Sequence, residues 1–467
     1  MLSKLFSLGM DQSSSDSTAY EALPSEVDYF DQDVVQTSIT DEFDRDFIPL
    51  SSITGDGPIE FFVRGADNLL LDLNNSKIEI KVRIVRANGD ICTDADHVGP
   101  VNLILHSLFS HVEVELCGKS FGDPNNLYAY RAYLETLLNN SPDVLDSRLK
   151  CEGWEKDTAD NMDSTDPDEA TAADQNKGLM TRSVDFKKSK TVTLMGRPHH
   201  ELFRQEKDIP PNCDLKVRLI RNRSAFCLMA KKVTGDATAL ANATRYKFEI
   251  KAAKLWIRTK TLANHVALAF EKLLQKSNMR LRPNKNVMKH VSIPKGVSCF
   301  ELDNVFMGQL PDRLFMCMVA DESMSGSQWL NPFDFQNFNV SQIGVKVNSE
   351  SIPRQPLSLV FPPSESEDFT RGYITLLSAL GVDEGEKAID ITADEWSGGF
   401  TIYGFKITPG PIGSSAGVRS LQRSGALKAE IKFAAATTVN INLIFYAEFP
   451  CSLEIDRFRN VTISSSG

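Results

Sequence analysis

A few short stretches of this sequence carry residue types that could do chemistry. Gly118-Lys119-Ser120 looks like the tail of a phosphate-binding loop, in which glycines let the backbone wrap phosphate and a lysine neutralises it. That loop needs a first glycine separated by four residues from the Gly-Lys pair, and a helix opening at Lys-Ser. Glu113 stands at the glycine position, and Phe121-Gly122-Asp123-Pro124 stands where the helix should begin. Gly118-Lys119 is therefore a turn ending a strand, and no nucleotide site is expected.

His199-His200-Glu201 resembles a metal-binding fragment, but HExxH spacing is absent. The seven histidines hold no histidine-x-histidine strand pair of the cupin kind, and His106 and His111 flank a helix-to-strand change. Structural or surface histidines are expected. Asp394-Glu395 beside Trp396 could form a carboxylate pair, but adjacent acids opening a helical turn suit the N-terminal end of a helix dipole. Trp329, Phe333, Phe335 and Phe338 could box a ligand; they are read as a core plug at a barrel end. No GxSxG elbow occurs, and no cysteine has a nucleophile context. The expectation is no catalytic, cofactor-binding or metal-ligating residues, no cofactor, and no enzyme activity.

The elements that would position such residues are mostly strands. Ile78, Ile80, Val82 and Ile84 alternate with Glu79, Lys81 and Arg83, and Leu215, Val217 and Leu219 alternate with Lys216 and Arg218. Leu427, Ala429, Ile431 and Phe433 repeat the habit, as do Val439, Ile441, Leu443 and Phe445. Period two buries one face of an antiparallel strand and fixes its register. Shifts of the apolar frame at Ala252-Ala253 and at Gly404 predict bulges or bends. Helical stripes run through Leu127, Tyr130, Leu134 and Leu137, through Val266, Phe270, Leu273 and Leu274, and through Phe369, Tyr373, Leu376, Leu377 and Leu380. The last ends at Gly381, a C′ glycine. Many strands and few short helices predict an all-β sandwich or barrel.

Length and charge bound the rest. A chain of 467 residues with 42% hydrophobic and 24% charged residues is long enough for two cores of roughly 200 residues each. No run of about 18 apolar residues is present, so no transmembrane segment is expected, and "MLSKLFSLGM" is too short an apolar stretch for a secretory signal. Eight scattered cysteines without a CxxC pair are read as reduced thiols in an intracellular setting, with the sequons at Asn222, Asn242 and Asn339 unused. The net charge is -11, and residues 11–46 hold eleven acids against one base. That stretch belongs to an acidic flexible N-terminal arm, 1–46; no basic stripe suited to neutralising nucleic acid appears. Residues 152–178 are acidic and almost without large apolar side chains, so they are expected to be an exposed, mobile loop.

The two halves echo each other. Ser110-His111-Val112-Glu113-Val114-Glu115-Leu116 matches Ser341-Gln342-Ile343-Gly344-Val345-Lys346-Val347. Each strand runs through a polar turn to a helix, one carrying Arg131-Ala132-Tyr133-Leu134 and the other Arg371-Gly372-Tyr373-Ile374. This predicts a duplicated β-domain about residue 261: a first unit 47–261, a second 262–460, and a C-terminal tail 461–467.

With those pieces in order, the chain resembles the double jelly-roll major capsid proteins of Polinton/Maverick elements and adintoviruses, related more distantly to virophage and adenovirus capsid proteins. The motifs are "LDNVFMGQLPDR" (302–313), "LNPFDFQNFNV" (330–340), "INLIFYAEFPCSLEID" (441–456) and "YAYRAYLETLL" (128–138), within a span from Phe47 to Asn460. The resemblance implies two tandem eight-stranded antiparallel jelly rolls with short helices in connecting loops. It implies a homotrimer forming pseudo-hexagonal capsomers, which meet neighbouring capsomers and penton or minor capsid proteins in an icosahedral shell. That shell encloses double-stranded DNA without sequence-specific binding, and the protein resides in the virion capsid after assembly inside a host cell. The acidic arm is expected to face minor capsid proteins or a maturation partner. A domesticated scaffold protein of a genome-integrated element, or a carbohydrate-binding or cupin-like jelly roll, are the alternatives.

Overall fold

Alternating strands predominate because alternating sequence leaves them one face to bury. The protein's structure, a computed structural model, describes residues 35–232, 245–306, 308–362, 367–382, 388–409 and 421–464. Eight strands make the first barrel: β1 (Ile39–Phe47), β2 (Ile59–Val63), β3 (Leu69–Arg86), β4 (Phe109–Leu116), β5 (Lys119–Phe121), β6 (Val192–Gly196), β7 (Leu215–Arg221) and β8 (Tyr246–Leu262). They form two four-stranded sheets, ordered β1-β8-β3-β6 and β2-β7-β4-β5. The second barrel follows with β9 (Asn284–Ile293), β10 (Cys299–Leu302), β11 (Arg313–Ala320), β12 (Val340–Val347), β13 (Glu350–Ser358), β14 (Ile402–Lys406), β15 (Leu427–Phe433) and β16 (Ile441–Pro450). Its sheets run β9-β16-β11-β14 and β10-β15-β12-β13.

Adding eight to each strand number of the first barrel reproduces the second. All ladders between these strands are antiparallel. The chain is a double jelly roll. Phe61, Val114 and Val217 of one sheet and Ile80, Val82 and Leu255 of the other are buried in the first core; Phe315, Ile431 and Leu443 are among those buried in the second. From Ile39 onward the protein forms one compact unit.

The turns agree with the repeat. Leu116 pairs with Lys119 across Cys117 (φ 49°) and Gly118 (φ 80°), and Val347 pairs with Glu350 across Asn348 (φ 48°) and Ser349 (φ 78°). Two residues at positive φ make the type I′ turn whose twist matches the strands it joins. Gly118-Lys119 is therefore the end of a hairpin, as its sequence context indicates.

Three expected helices are present: α1 (Tyr128–Asn139), α3 (Asn264–Leu274) and α4 (Thr370–Leu380), with α2 (Lys177–Phe186) between the first two. Gly381 ends α4 at φ 72°, and its N–H bonds the carbonyls of Leu377 and Ser378. The β3–β8 register shifts between Ile250 and Ala252, which is the expected bulge.

Four expectations are corrected. The flexible arm does not reach residue 46, because Ile39–Phe47 pairs along β8 from Leu262 to Leu255. The acids there are exposed, and Asp44 and Asp46 accept hydrogen bonds from Arg258 and Lys254. Gly404 marks no bulge, since β14 pairs with β11 without a shift; a Cβ there would press on Leu376 and Ala379 of α4. Val461–Ser464 of the supposed tail pairs with Ser452–Ile455. Residues 152–178 are not a loose loop: Trp154, Asp157, Met162 and Asn176 are each at most 2% exposed. The N-terminal decapeptide, the rest of the acidic arm up to residue 34, and Asn242 lie outside the described residues.

Candidate functional site

The two jelly rolls are joined by a seam built around α1. That helix is buried on every side, from Tyr128 through Leu138, so its polar residues must find partners inside the protein. Tyr133 stacks on Phe333 from the second half, ring centroids 4.3 Å apart and planes 2° from parallel. Tyr130 meets Phe333 edge-on at 5.6 Å. The aromatic cluster of the second half thus splits. Phe333 and Phe335 are fully buried against α1, whereas Trp329 and Phe338 are only half-buried. The plug closes a seam between barrels, which corrects its expected place at the end of one barrel.

Arg131 and Glu135, one helical turn apart, open an ionic network beneath these rings. Arg131 donates Nε to Glu135 Oε1 at 2.8 Å and Nη1 to Glu201 Oε1 at 2.9 Å. Asn286, on β9 of the second barrel, donates Nδ2 to Glu135 Oε1 at 2.6 Å and its backbone N–H to Glu201 Oε1 at 3.2 Å. Its Nδ2 also reaches the Tyr446 hydroxyl at 2.9 Å, and that hydroxyl donates to Glu448, which is paired with Arg313. Burial opposes the charge on Glu135, but Arg204, Arg131 and His199 outweigh it and hold the carboxyl well below the usual carboxylate range. Burial likewise opposes the charge on Arg131, and Glu201 and Glu135 more than restore it. Next to α1, Met288 of β9 donates its N–H to Asp123 Oδ2 at 2.6 Å, and Asn125 Nδ2 donates to the Met288 carbonyl at 2.7 Å.

The repeat makes this asymmetric. Arg371, the counterpart of Arg131 on α4, is exposed and donates to the Gln355 carbonyl at 3.0 Å. One copy of the helix became the joint, and the other stayed near the surface.

The histidines serve the same seam. His199 Nδ1 lies 2.8 Å from Glu135 Oε2, and burial, with Arg204 and His106 beside it, keeps the imidazole neutral. His106 Nδ1 meets the Tyr128 hydroxyl at 2.9 Å and its Nε2 meets Glu152 Oε2 at 3.0 Å. Among the described residues, His106, Glu152 and His199 form one group whose ligand atoms lie within 4.8 Å of one another. Within that group a hydrogen-bond chain runs from Tyr128 through His106 to Glu152. His200 bonds the Phe121 carbonyl at 3.1 Å. Both neighbouring histidines are buried and hydrogen-bonded within the protein.

A second clasp comes from the acidic segment after the first barrel's α1. Asp157 is held by Arg182 Nη2 at 2.7 Å and accepts from Asn331 Nδ2 of the second half at 3.1 Å. Asp160 donates its N–H to the Gly398 carbonyl at 2.7 Å, and Lys156 pairs with Glu395 at 2.9 Å and Asp390 at 3.3 Å. Asp163 accepts the Asn331 N–H at 2.8 Å and shares a hydrogen bond with Asp334. Burial, then the nearby Asp163 charge, pushes the Asp334 carboxyl up to about 7. The pair faces a cavity of ≈ 460 Å³ whose walls include Asn337 and Gly398. Asp394 and Glu395 lie in the first turn of the helix Ala393–Ser397, where Thr392 and Glu395 form a capping box, as the sequence indicates.

This arrangement locks two barrels into one block. Sequence reasoning missed Glu135, Asn286, Asp163 and Asp334 as partners. The available signal for Glu135 was the two charged residues inside the largely apolar "YAYRAYLETLL", which a buried helix tolerates only with partners.

No family model matches the chain. An uncharacterized protein of Caenorhabditis elegans is 22% identical over 427 residues, covering 89% of this chain and 95% of its own. A chain from the cryo-electron microscopy structure of the Sputnik virophage superposes with a TM-score of 0.60 at 11% identity, over 97% of this chain and 94% of its own. The crystal structure of the mavirus major capsid protein superposes with a TM-score of 0.50 at 12% identity, over 97% and 96%. The chain shares its double jelly-roll fold with these viral proteins.

Proposed function

We propose that this chain is a major capsid protein of the Polinton/Maverick and adintovirus kind, a shell-building subunit that catalyses nothing. The observation that carries the reading is the fusion of two topologically identical jelly rolls into one block through a buried seam, in the fold of the mavirus major capsid protein. Three such chains present six barrels, so a threefold homotrimer acquires a nearly sixfold outline suited to tiling. In this reading the trimers are pseudo-hexagonal capsomers of an icosahedral shell around double-stranded DNA. They contact one another and penton and minor capsid proteins. The two barrels, β1–β8 and β9–β16, descend from one ancestral barrel.

Surface chemistry supports assembly. Helix α3, between the barrels, leaves Leu268 63% and Leu273 59% exposed, and Phe458 is 69% exposed. Apolar surface of this kind marks contact with another protein. Obligate interfaces commonly bury about 2,000–5,000 Å². No helix among the described residues is long and apolar enough to cross a membrane.

The Caenorhabditis elegans relative favours a second reading, in which a genome-integrated copy is retained as a cellular scaffold. Negative-stain electron microscopy with mass photometry of the full-length chain tests both. Six-cornered trimeric blocks that close into shells support the capsid reading, and blocks that never close support the scaffold. Monomers at every concentration sink both.

A further inference from the structure

Cys117 and Cys213 meet at one end of the first barrel. Cys117 opens the two-residue turn after β4, and its N–H donates to the Asp214 carbonyl at 2.8 Å, extending the ladder beyond the Leu116–Leu215 pair. That register sets Cys213 diagonally against it, and the two thiols are hydrogen-bonded. The segment carrying Cys213 is wedged from behind, because a Cβ at Gly65 would lie 2.5 Å from the Cys213 nitrogen. Cys213 is 1% exposed, whereas Cys117 is half-buried and open to a small reagent.

The pair is also electrically asymmetric. The hydrogen bond from Cys213 holds the Cys117 thiol below its ordinary value, and Arg459 of the C-terminal segment adds to this. The same bond, and then burial, push the Cys213 thiol up. Cys117, the more exposed of the two, is therefore the thiol that a small reagent reaches first.

We propose that Cys117 and Cys213 are a redox-controlled staple, closing to an intramolecular disulfide on exposure to a low-molecular-weight disulfide such as glutathione disulfide. The Cys117 thiolate attacks one sulfur of that reagent, forming a mixed disulfide and releasing one glutathione thiolate, which takes up a proton. Cys213 loses its proton to solvent and attacks the Cys117 sulfur, and the second glutathione leaves as thiolate. Two protein thiols are oxidised, and one glutathione disulfide is reduced to two glutathiones. The bond ties the β4–β5 turn to the segment entering β7 and restricts the unfolded chain. A reducing cell interior leaves the staple open, and an oxidising exterior closes it.

The test treats the reduced full-length chain with glutathione disulfide, blocks remaining thiols by alkylation, and maps non-reduced peptides by mass spectrometry. Exposed Cys151 and Cys299 serve as internal controls for simple glutathione adducts. The expected product is a Cys117–Cys213 cross-linked peptide, together with a rise in melting temperature that reductant reverses. In Cys213→Ser the mixed disulfide has no resolving thiol, so glutathione should stay on Cys117. Cross-linked peptide absent while Cys151 and Cys299 carry glutathione overturns the proposal. So does a Cys117 that stays unmodified in Cys213→Ser.

Discussion

Asn286 donates its amide to Oε1 of Glu135 at 2.6 Å, although one residue belongs to the second barrel and the other to a helix of the first. Glu135 is fully buried and charged. Breaking a buried, paired charge network by removing one member typically costs about 3–5 kcal/mol. Glu135→Ala should destabilise the protein by about that amount, measured by urea unfolding, because Arg131 and Arg204 lose their shared carboxylate. Arg371→Ala, at the exposed counterpart of Arg131 on α4, should change stability by less than about 0.5 kcal/mol. Equal effects would show that the seam is not where the two copies differ energetically.

The carboxyl pair Asp163–Asp334 predicts a pH dependence with a definite sign. Burial and Asp163 raise the folded-state value of Asp334 to about 7 from an ordinary 3.8. The folded protein therefore binds more protons here than the unfolded chain between those values. Its stabilising contribution is complete below about 3.8 and is lost as pH rises through about 7. Melting temperatures of wild type and Asp334→Asn, compared across that range, should diverge progressively in favour of the variant as pH rises. Parallel curves would mean that the two carboxyls share no proton.

Two glycines separate backbone strain from crowding. Gly118 has a φ of +80° with open space around it, whereas Gly399 has a φ of +114° and an added Cβ there would run into Met162 and Asp334. Gly118→Ala should cost about 1–2 kcal/mol, from the left-handed conformation alone. Gly399→Ala should cost more, because overpacking adds about 1–3 kcal/mol. Denaturant unfolding of the two variants checks the order, and a reversal would refute the close packing of the acidic segment on the second barrel.

Truncation distinguishes the arm from the strand. Removing residues 1–34 should leave the melting temperature of the barrels within a few degrees of the full chain. Removing residues 1–46 strips most of β1 and leaves Lys254 and Arg258 without Asp46 and Asp44. It also bares the edge of β8, which invites aggregation. Size-exclusion chromatography should therefore show aggregation only for the longer deletion; well-behaved material from both would contradict the pairing of β1.

Much of the fold was legible because its signals are local. The alternation at Ile78–Ile84 and Leu215–Leu219, the bulge near Ala252 and the C′ glycine of α4 each follow from a few neighbouring residues meeting a pleat or a helix end. The echo between Ser110–Leu116 and Ser341–Val347 was also readable, and the two strands occupy equivalent places, β4 and β12. The acidic segment was misread for a physical reason. Composition counts its carboxylates as solvent-seeking, but Asp157, Asp163 and Lys156 find Arg182, Asn331 and Glu395, and Trp154 and Met162 pack beneath them.

By itself the sequence determined many of the strands and three of the helices, the apolar face of the alternating strands, and that the pattern occurs twice. Only the tertiary structure decided which copy of the helix became the joint and which charges it buried with it. Periodicity is set by backbone geometry over a handful of residues. The partner of a buried charge is set by what the fold brings within about 3 Å, and that distance does not depend on separation along the chain.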